Sequence, residues 1–221
     1  NEGFANTPFL FELLSFQYVV NQMYYANLNE NNDQSIGSLY KKGEANTLMV
    51  YWGNKDKGVS FSRFPSLLHV NETDFVTDGV FMDISTVPGG NSDCCHLGKT
   101  LVHEVGHWLG LYHTFEGNSC DDRNSGDYIS DIPQQANATE MDCPRDRDSC
   151  PGVPGVDPIH NFMDYSSDDC LNDFTTGQIQ RMYIVWSLYR QNDEVCNSGQ
   201  TLFKIEINLD RFASEVSWQL I

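Results

Sequence analysis

Three histidines and one glutamate fall at positions 103, 107, 113 and 104 in the string HEVGHWLGLYH, with Gly110 between the second and third histidine. This spacing demands a helix followed by an abrupt break. On a helix, residues four apart share a face, so the imidazoles of His103 and His107 can point at one ion. Glu104 sits beside that face, where it reaches a water at the ion. His113 can join only if the helix ends and the chain turns back, and Gly110 lacks the Cβ that would hinder such a turn. Three nitrogens leave one tetrahedral position open, the arrangement of a catalytic zinc and not of a closed structural one. For HExxH alone, a helix whose histidines merely hydrogen-bond in the core is a fair alternative. With five positions fixed together, and Gly at about 7% of residues, a chance match is on the order of a few in a hundred million per starting point.

The chain before this helix is strand-rich. FQYVVNQMYY (16–25) is β-branched and aromatic, SIGSLYKKG predicts a short helix closed by Gly43, and NTLMVYW (46–52), GVSFSRF (58–64) and DGVFMDIS (78–85) predict three more strands. Leu101, Val102, Val105 and Leu109 recur at helical spacing and predict a helix over 97–109. From Gly110 to about Asn172 turn formers dominate, and a loop of that length inside a domain usually carries function or metal. TTGQIQRMYIVWSLYRQ predicts a closing helix with Ile179, Met182, Val185, Trp186 and Tyr189 on one stripe. The tail TLFKIEINLDRFASEVSW alternates like strands, either as an edge strand or as the start of a further β-rich domain, with the second preferred. The expected division is therefore 1–195 as one catalytic domain, its N-terminal part either whole or truncated, and 196–221 as a C-terminal extension.

With 13 basic against 31 acidic side chains among 221 residues, the net charge of -18 repels nucleic acid and anionic membrane surfaces. No apolar run is long enough to span a bilayer. The chain opens at Asn1 without a charged and then apolar leader, so the expectation is that any signal or pro-segment has already been removed. Cys120, Cys143, Cys150 and Cys170 lie in the Gly-, Pro- and Asp-rich segment, which would be floppy unless cross-linked, and this speaks for oxidised bridges and an extracellular location. Sequons at Asn71 and Asn137 are consistent with export. A second zinc site there has only His160 to draw on and no CxxC pair. His69, His96 and His160 have no partner at ligand spacing and are expected to make surface or local hydrogen bonds.

HEVGHWLGLYH resembles the zinc signature of metzincin metalloproteases, and NFMDY (161–165), with Met163 placed 50 residues after His113, resembles their Met-turn. DPIHNFMDYSSDDC, DGVFMDISTVPGG and FTTGQIQRM are similar to the pappalysin (cytophagalysin) branch. The resemblance covers about Ser35 to Tyr189. It implies an α/β (α+β) metzincin-type catalytic domain: a twisted mixed sheet of four to five strands with one antiparallel edge strand, a zinc-binding active-site helix, and an irregular, disulfide-linked lower subdomain with a C-terminal helix. The edge-strand candidate is 58–64, which in such enzymes pairs with an extended peptide. Met163 is implied as an apolar floor beneath the zinc, a role physically close to that of an ordinary core methionine.

The activity this implies is that of a secreted zinc endopeptidase, made as a larger zymogen. Zinc acidifies water and polarises the scissile carbonyl, Glu104 takes the proton and passes it to the leaving amine, and Tyr165 hydrogen-bonds the oxyanion. Tyr165 as a merely packed aromatic is the alternative. Two rivals stand beside this reading: a metzincin-fold module that only grips peptides or matrix, and a zinc hydrolase of non-peptide substrates. Four cysteines allow three pairings, of which the resemblance implies Cys120–Cys150 and Cys143–Cys170. A self-bonded adjacent pair is strained, so a bridge from Cys94 or Cys95 to Cys196 is preferred, leaving one thiol over. Asp127 and Asp131 match positions near a calcium site in a relative, against the alternative of a solvated acidic loop.

Overall fold

The computed structural model describes residues 2–26, 28–29, 31–54, 60–65, 72–121, 126–191 and 201–209. The frame is a five-stranded sheet of order β1-β5-β2-β4-β3, with β1 Phe9–Tyr18, β2 Thr47–Gly53, β3 Phe61–Ser62, β4 Val80–Asp83 and β5 Thr201–Leu209. The β1/β5, β5/β2 and β2/β4 pairs are parallel, and β3 lies antiparallel to β4 at the edge. All seven residues of β2 are buried, as a parallel strand covered on both faces requires. Leu48, Val50, Trp52, Val80 and Met82 meet Val105, Trp108, Met163, Met182 and Trp186 on one face. Met49, Tyr51 and Phe81 meet Leu28 and Ile36 on the other. Helix α4 (Lys99–Trp108) and helix α5 (Thr176–Tyr189) thus back the first face, and α2 (Asp33–Tyr40) the second.

Several elements depart from the expectation drawn from the sequence. The first strand ends at Tyr18, and Gln22–Tyr25 forms a helical turn, α1, because the Asn21 side chain accepts from the Tyr24 amide and caps it. Helix α2 stops at Tyr40, before Gly43, because Lys41 turns extended and its ammonium reaches the buried Asp78 at 3.1 Å. A further helix, α3 (Glu72–Thr77), has no periodic signal. It packs across α2 at Gly37, where a Cβ would overlap the Val76 carbonyl. The described part of the tail is neither edge strand nor separate domain: β5 inserts between β1 and β2 in the one sheet.

A buried ion cluster ties these layers together at the end of α4. Asp78, at the start of β4, receives Arg190 through 2.8 and 3.1 Å bonds, Lys41, and the Trp108 indole N–H at 3.0 Å. Arg190 also stacks on Trp108 at 3.5 Å and donates to its carbonyl at 3.0 Å. Burial pushes the Asp78 carboxyl up, but Arg190 and then Lys41 outweigh it and hold the group below its ordinary range. The C-terminus of α4 is therefore braced from the ends of two helices, α2 and α5, and from the residue pair that leads into β4.

Candidate metal centre

Helix α4 begins at Gly98, which has φ +86° and no capping side chain. Asp168, about 70 residues on in the chain, supplies the cap: its carboxylate accepts from Leu97 N at 2.7 Å and Lys99 N at 3.3 Å. Midway along the helix, Gly106 rests on Met163, whose Sδ would stand 2.5 Å from a Cβ there. The helix ends at Trp108. Gly110 then adopts φ +89°, Leu111 N donates to Gly106 O at 2.9 Å, and Arg181 Nε fastens the Gly110 carbonyl at 2.7 Å. A side chain at residue 110 would collide with Val185 of α5. That turn returns His113 to the helix.

The three imidazoles converge. Nε2 of His107 lies 3.1 Å from Nε2 of His103 and 3.0 Å from Nε2 of His113. Nδ1 of His103 is 2.7 Å from the Phe162 carbonyl, and Nδ1 of His107 is 2.7 Å from the Leu111 carbonyl. A carbonyl only accepts, so both Nδ1 atoms carry the proton and both Nε2 atoms present lone pairs. Burial, and then the neighbouring imidazoles, push all three rings down to about 3, so they are neutral at physiological pH. Lone pairs about 3 Å apart repel unless a cation lies among them. The donor set fits a zinc ion: neutral imidazoles with the second ring nitrogen held by a backbone carbonyl. Nδ1 of His113 faces the Glu116 carboxylate at 3.7 Å.

Glu104, next to His103 on the helix, is buried at 6% exposure. Tyr165 is exposed over the centre, its ring 4.9 Å from His113 and 5.5 Å from His103. Burial, then the charges of Glu104 and Glu116, raise its phenol above the ordinary value, so it stays a donor.

The turn that carries Met163 and Tyr165 is held by residues that spacing did not single out. Asn161 and Gln178 exchange amide hydrogen bonds of 2.7 and 2.9 Å, pinning the turn to α5. Gln178 also completes a capping box with Thr175, whose T-x-x-Q pattern is a findable signal. Asp164, fully buried, accepts from Gln135 Nε2 at 2.9 Å, Thr139 N at 3.1 Å and Ser166 Oγ at 2.7 Å. Gln135 in turn accepts from Thr114, next to His113, at 2.6 Å. Met163 itself has no exposed surface.

In the lower segment the bridges are Cys120–Cys150 and Cys143–Cys170, closing spans of 30 and 27 residues. Loops of that size contribute about 3 to 4 kcal/mol each in the chain-entropy account. Cys94 and Cys95 correct the expectation of a bridge to Cys196: they are bonded to each other. Their Cα atoms are 3.8 Å apart, outside the usual range of about 4.4–6.8 Å that made the pair look unfavourable. Cys196, His69 and Asn71 lie outside the described residues. His96 and His160 make the local bonds expected, to Ser92 O at 2.7 Å and Cys170 O at 2.8 Å. Both Asp131 oxygens serve the start of α5, through Thr175 Oγ1 and Gly177 N at 2.8 Å. Asp127 is buried in the wall of a cavity of about 270 Å³ with Thr114, Ile132 and Gln135.

A mostly parallel sheet with an antiparallel edge, two imidazoles on a helix, a glycine turn to a third and a methionine beneath them together define the metzincin class of metalloproteases. The family model described as pregnancy-associated plasma protein-A, peptidase family M43, matches residues 73–186, and the chain belongs to that family. An extracellular metalloprotease of Verticillium alfalfae is 42% identical over 193 residues, which cover 86% of this chain and 66% of that protein. One from Aspergillus fumigatus is 53% identical over 114 residues, covering 52% and 35% respectively. The chain thus spans just under two thirds of the length of the fungal relatives it matches most fully. Among solved structures, mature mirolysin of Tannerella forsythia in complex with a cleaved peptide superimposes with a TM-score of 0.62 and 28% identity, over 73% of this chain and 61% of that one.

Proposed function

We propose that the chain is the catalytic unit of a secreted endopeptidase that holds one zinc ion through His103, His107 and His113. The observation that carries this is the tautomer lock, in which Phe162 O and Leu111 O turn two neutral Nε2 atoms, with that of His113, onto one point. What zinc supplies there, when bound, is Lewis acidity, which acidifies a water and polarises a carbonyl oxygen. Glu104 takes the water's proton as general base and returns it to the leaving amine. Tyr165, with its phenol kept protonated, donates to the oxyanion that develops. The outer edge of β3 is the proposed pairing strand for an extended peptide. Secretion follows from the names of the fungal relatives and the two bridges of the lower segment.

Residues 1–195 and β5 are proposed as one catalytic unit. Glycosylation at the exposed Asn137 and calcium at Asp127 and Asp131 are lesser parts of the proposal, read by deglycosylation mass shift and by melting with a calcium-selective chelator. The main experiment is casein digestion by the wild type and by Glu104→Ala. Zinc should be retained in both, while the variant loses about 10²- to 10⁴-fold in kcat. Equal turnover in the variant overturns the assignment of Glu104, and a wild type that binds casein without cutting it makes this a binding module.

A further inference from the structure

The aromatic rings around the centre fall into two groups. Phe115 and Tyr165 stand on the His113 side. On the His107 side a second series leads away from the metal ligands. Phe64 lies 5.4 Å from the His107 ring, Tyr112 stacks on Phe64 at 5.1 Å and 28°, and Tyr128 meets Tyr112 edge-on at 5.7 Å.

The last ring is the informative one. Tyr128 has φ +62°, a left-handed conformation that a bulky side chain adopts only under constraint, at roughly 1–3 kcal/mol. The constraint is visible: the Asp127 carboxylate accepts Ile129 N at 2.9 Å across the strained residue, and Gly126 N is tied to Glu116 O at 2.9 Å. Folding gains little from this ring beyond its edge contact with Tyr112, since Tyr128 remains 67% exposed. A glycine there would fold with less strain. The structure therefore holds an aromatic face out to solvent, at an energetic cost, in line with the metal ligands.

We infer that Phe64, Tyr112 and Tyr128 form a side-chain subsite of the peptide substrate that selects an aromatic residue; this rests on the proposed peptidase function. Ring faces alone would also accept an arginine or lysine through cation–π contact. Arg181, however, already lies 4.7 Å over the Tyr112 ring. A second cation beside Tyr112 would meet like charge, whereas an aromatic side chain against the exposed Tyr128 ring stacks without that repulsion.

The test compares peptides that carry Phe, Leu, Arg or Ala, in turn, at each of the positions flanking the scissile bond. kcat/KM is measured for the wild type, Tyr128→Phe and Tyr128→Gly. The same peptides are titrated by calorimetry onto zinc-loaded Glu104→Ala protein with and without Tyr128→Gly. At one position Phe should exceed Ala by about five- to tenfold in the wild type and in Tyr128→Phe. In Tyr128→Gly that ratio should fall below about twofold, with Tm at or above the wild-type value, which separates lost recognition from lost folding. An unchanged Phe/Ala ratio in Tyr128→Gly, or a strongest preference for Arg, overturns the inference. A wild type that cuts none of the peptides yet binds Phe in a Tyr128-dependent way sinks the peptidase function and leaves the subsite. Cleavage without Tyr128 dependence does the reverse.

Discussion

Gly110→Ala probes the turn that brings the His113 imidazole back to the two on α4. At φ +89° an alanine pays roughly 1–2 kcal/mol for the left-handed backbone. Its Cβ would also stand 2.8, 3.0 and 3.2 Å from Cγ1, Cγ2 and Cβ of Val185, the first closer than contact allows and the other two tight enough that Val185 must shift. Overpacking of this kind costs roughly 1–3 kcal/mol, and the stiffer unfolded chain returns about 0.4–1 kcal/mol. The net destabilisation is about 3 kcal/mol. Gly89 is the internal control: it has φ +80° but nothing within 4 Å of a Cβ, so Gly89→Ala should lose only about 1 kcal/mol. Urea unfolding of both variants isolates the contact with α5. Adding Val185→Ala to Gly110→Ala should recover about 1–3 kcal/mol in a double-mutant cycle. If Gly110→Ala costs no more than Gly89→Ala, or the cycle shows no coupling, the seating of the turn against Val185 is refuted.

Two further outcomes follow from the buried polar contacts. Asp78→Asn leaves Arg190 and Lys41 without their buried counter-charge and should destabilise by about 3–5 kcal/mol near neutral pH. Because the folded Asp78 carboxyl is held below its ordinary range, its contribution is full above about pH 4 and is lost as pH falls through the folded value. The gap in unfolding free energy between wild type and variant should therefore narrow on acidification, and a gap constant from pH 7 to 2 contradicts the ion-cluster reading. Gln178→Ala removes both the capping box of α5 and the amide pair with buried Asn161. A loss of about 2–4 kcal/mol is expected from guanidinium unfolding, and a loss under about 0.5 kcal/mol would show that the turn does not depend on it.

What could be read in advance divides by the range of the interaction. Helix α4 and its turn rest on spacings of three to six residues, which periodicity reports directly. So does α5, whose stripe and T-x-x-Q cap are local. The supports of the centre are long-range: Asp168 reaches α4 across 71 residues, Asp131 reaches α5 across 46, and Arg190 reaches Asp78 across 112. In one sequence each is just another charged residue in a loop or at a helix end. Helix α3 escaped because six residues offer little periodicity, and α1 because Asn21 as a cap outweighed strand-forming neighbours. The Cys94–Cys95 bridge escaped because the rule applied to it concerns typical geometry, and this pair is atypical.

The most direct test of the central claim is the zinc-edge X-ray absorption spectrum of purified protein with its metal content measured alongside. The account predicts one zinc per chain with three imidazole nitrogens at about 2.0–2.1 Å and one oxygen neighbour. Substituting His113 should lower the nitrogen count by one. A sulfur shell at about 2.3 Å, or a spectrum unchanged by losing His113, would contradict it.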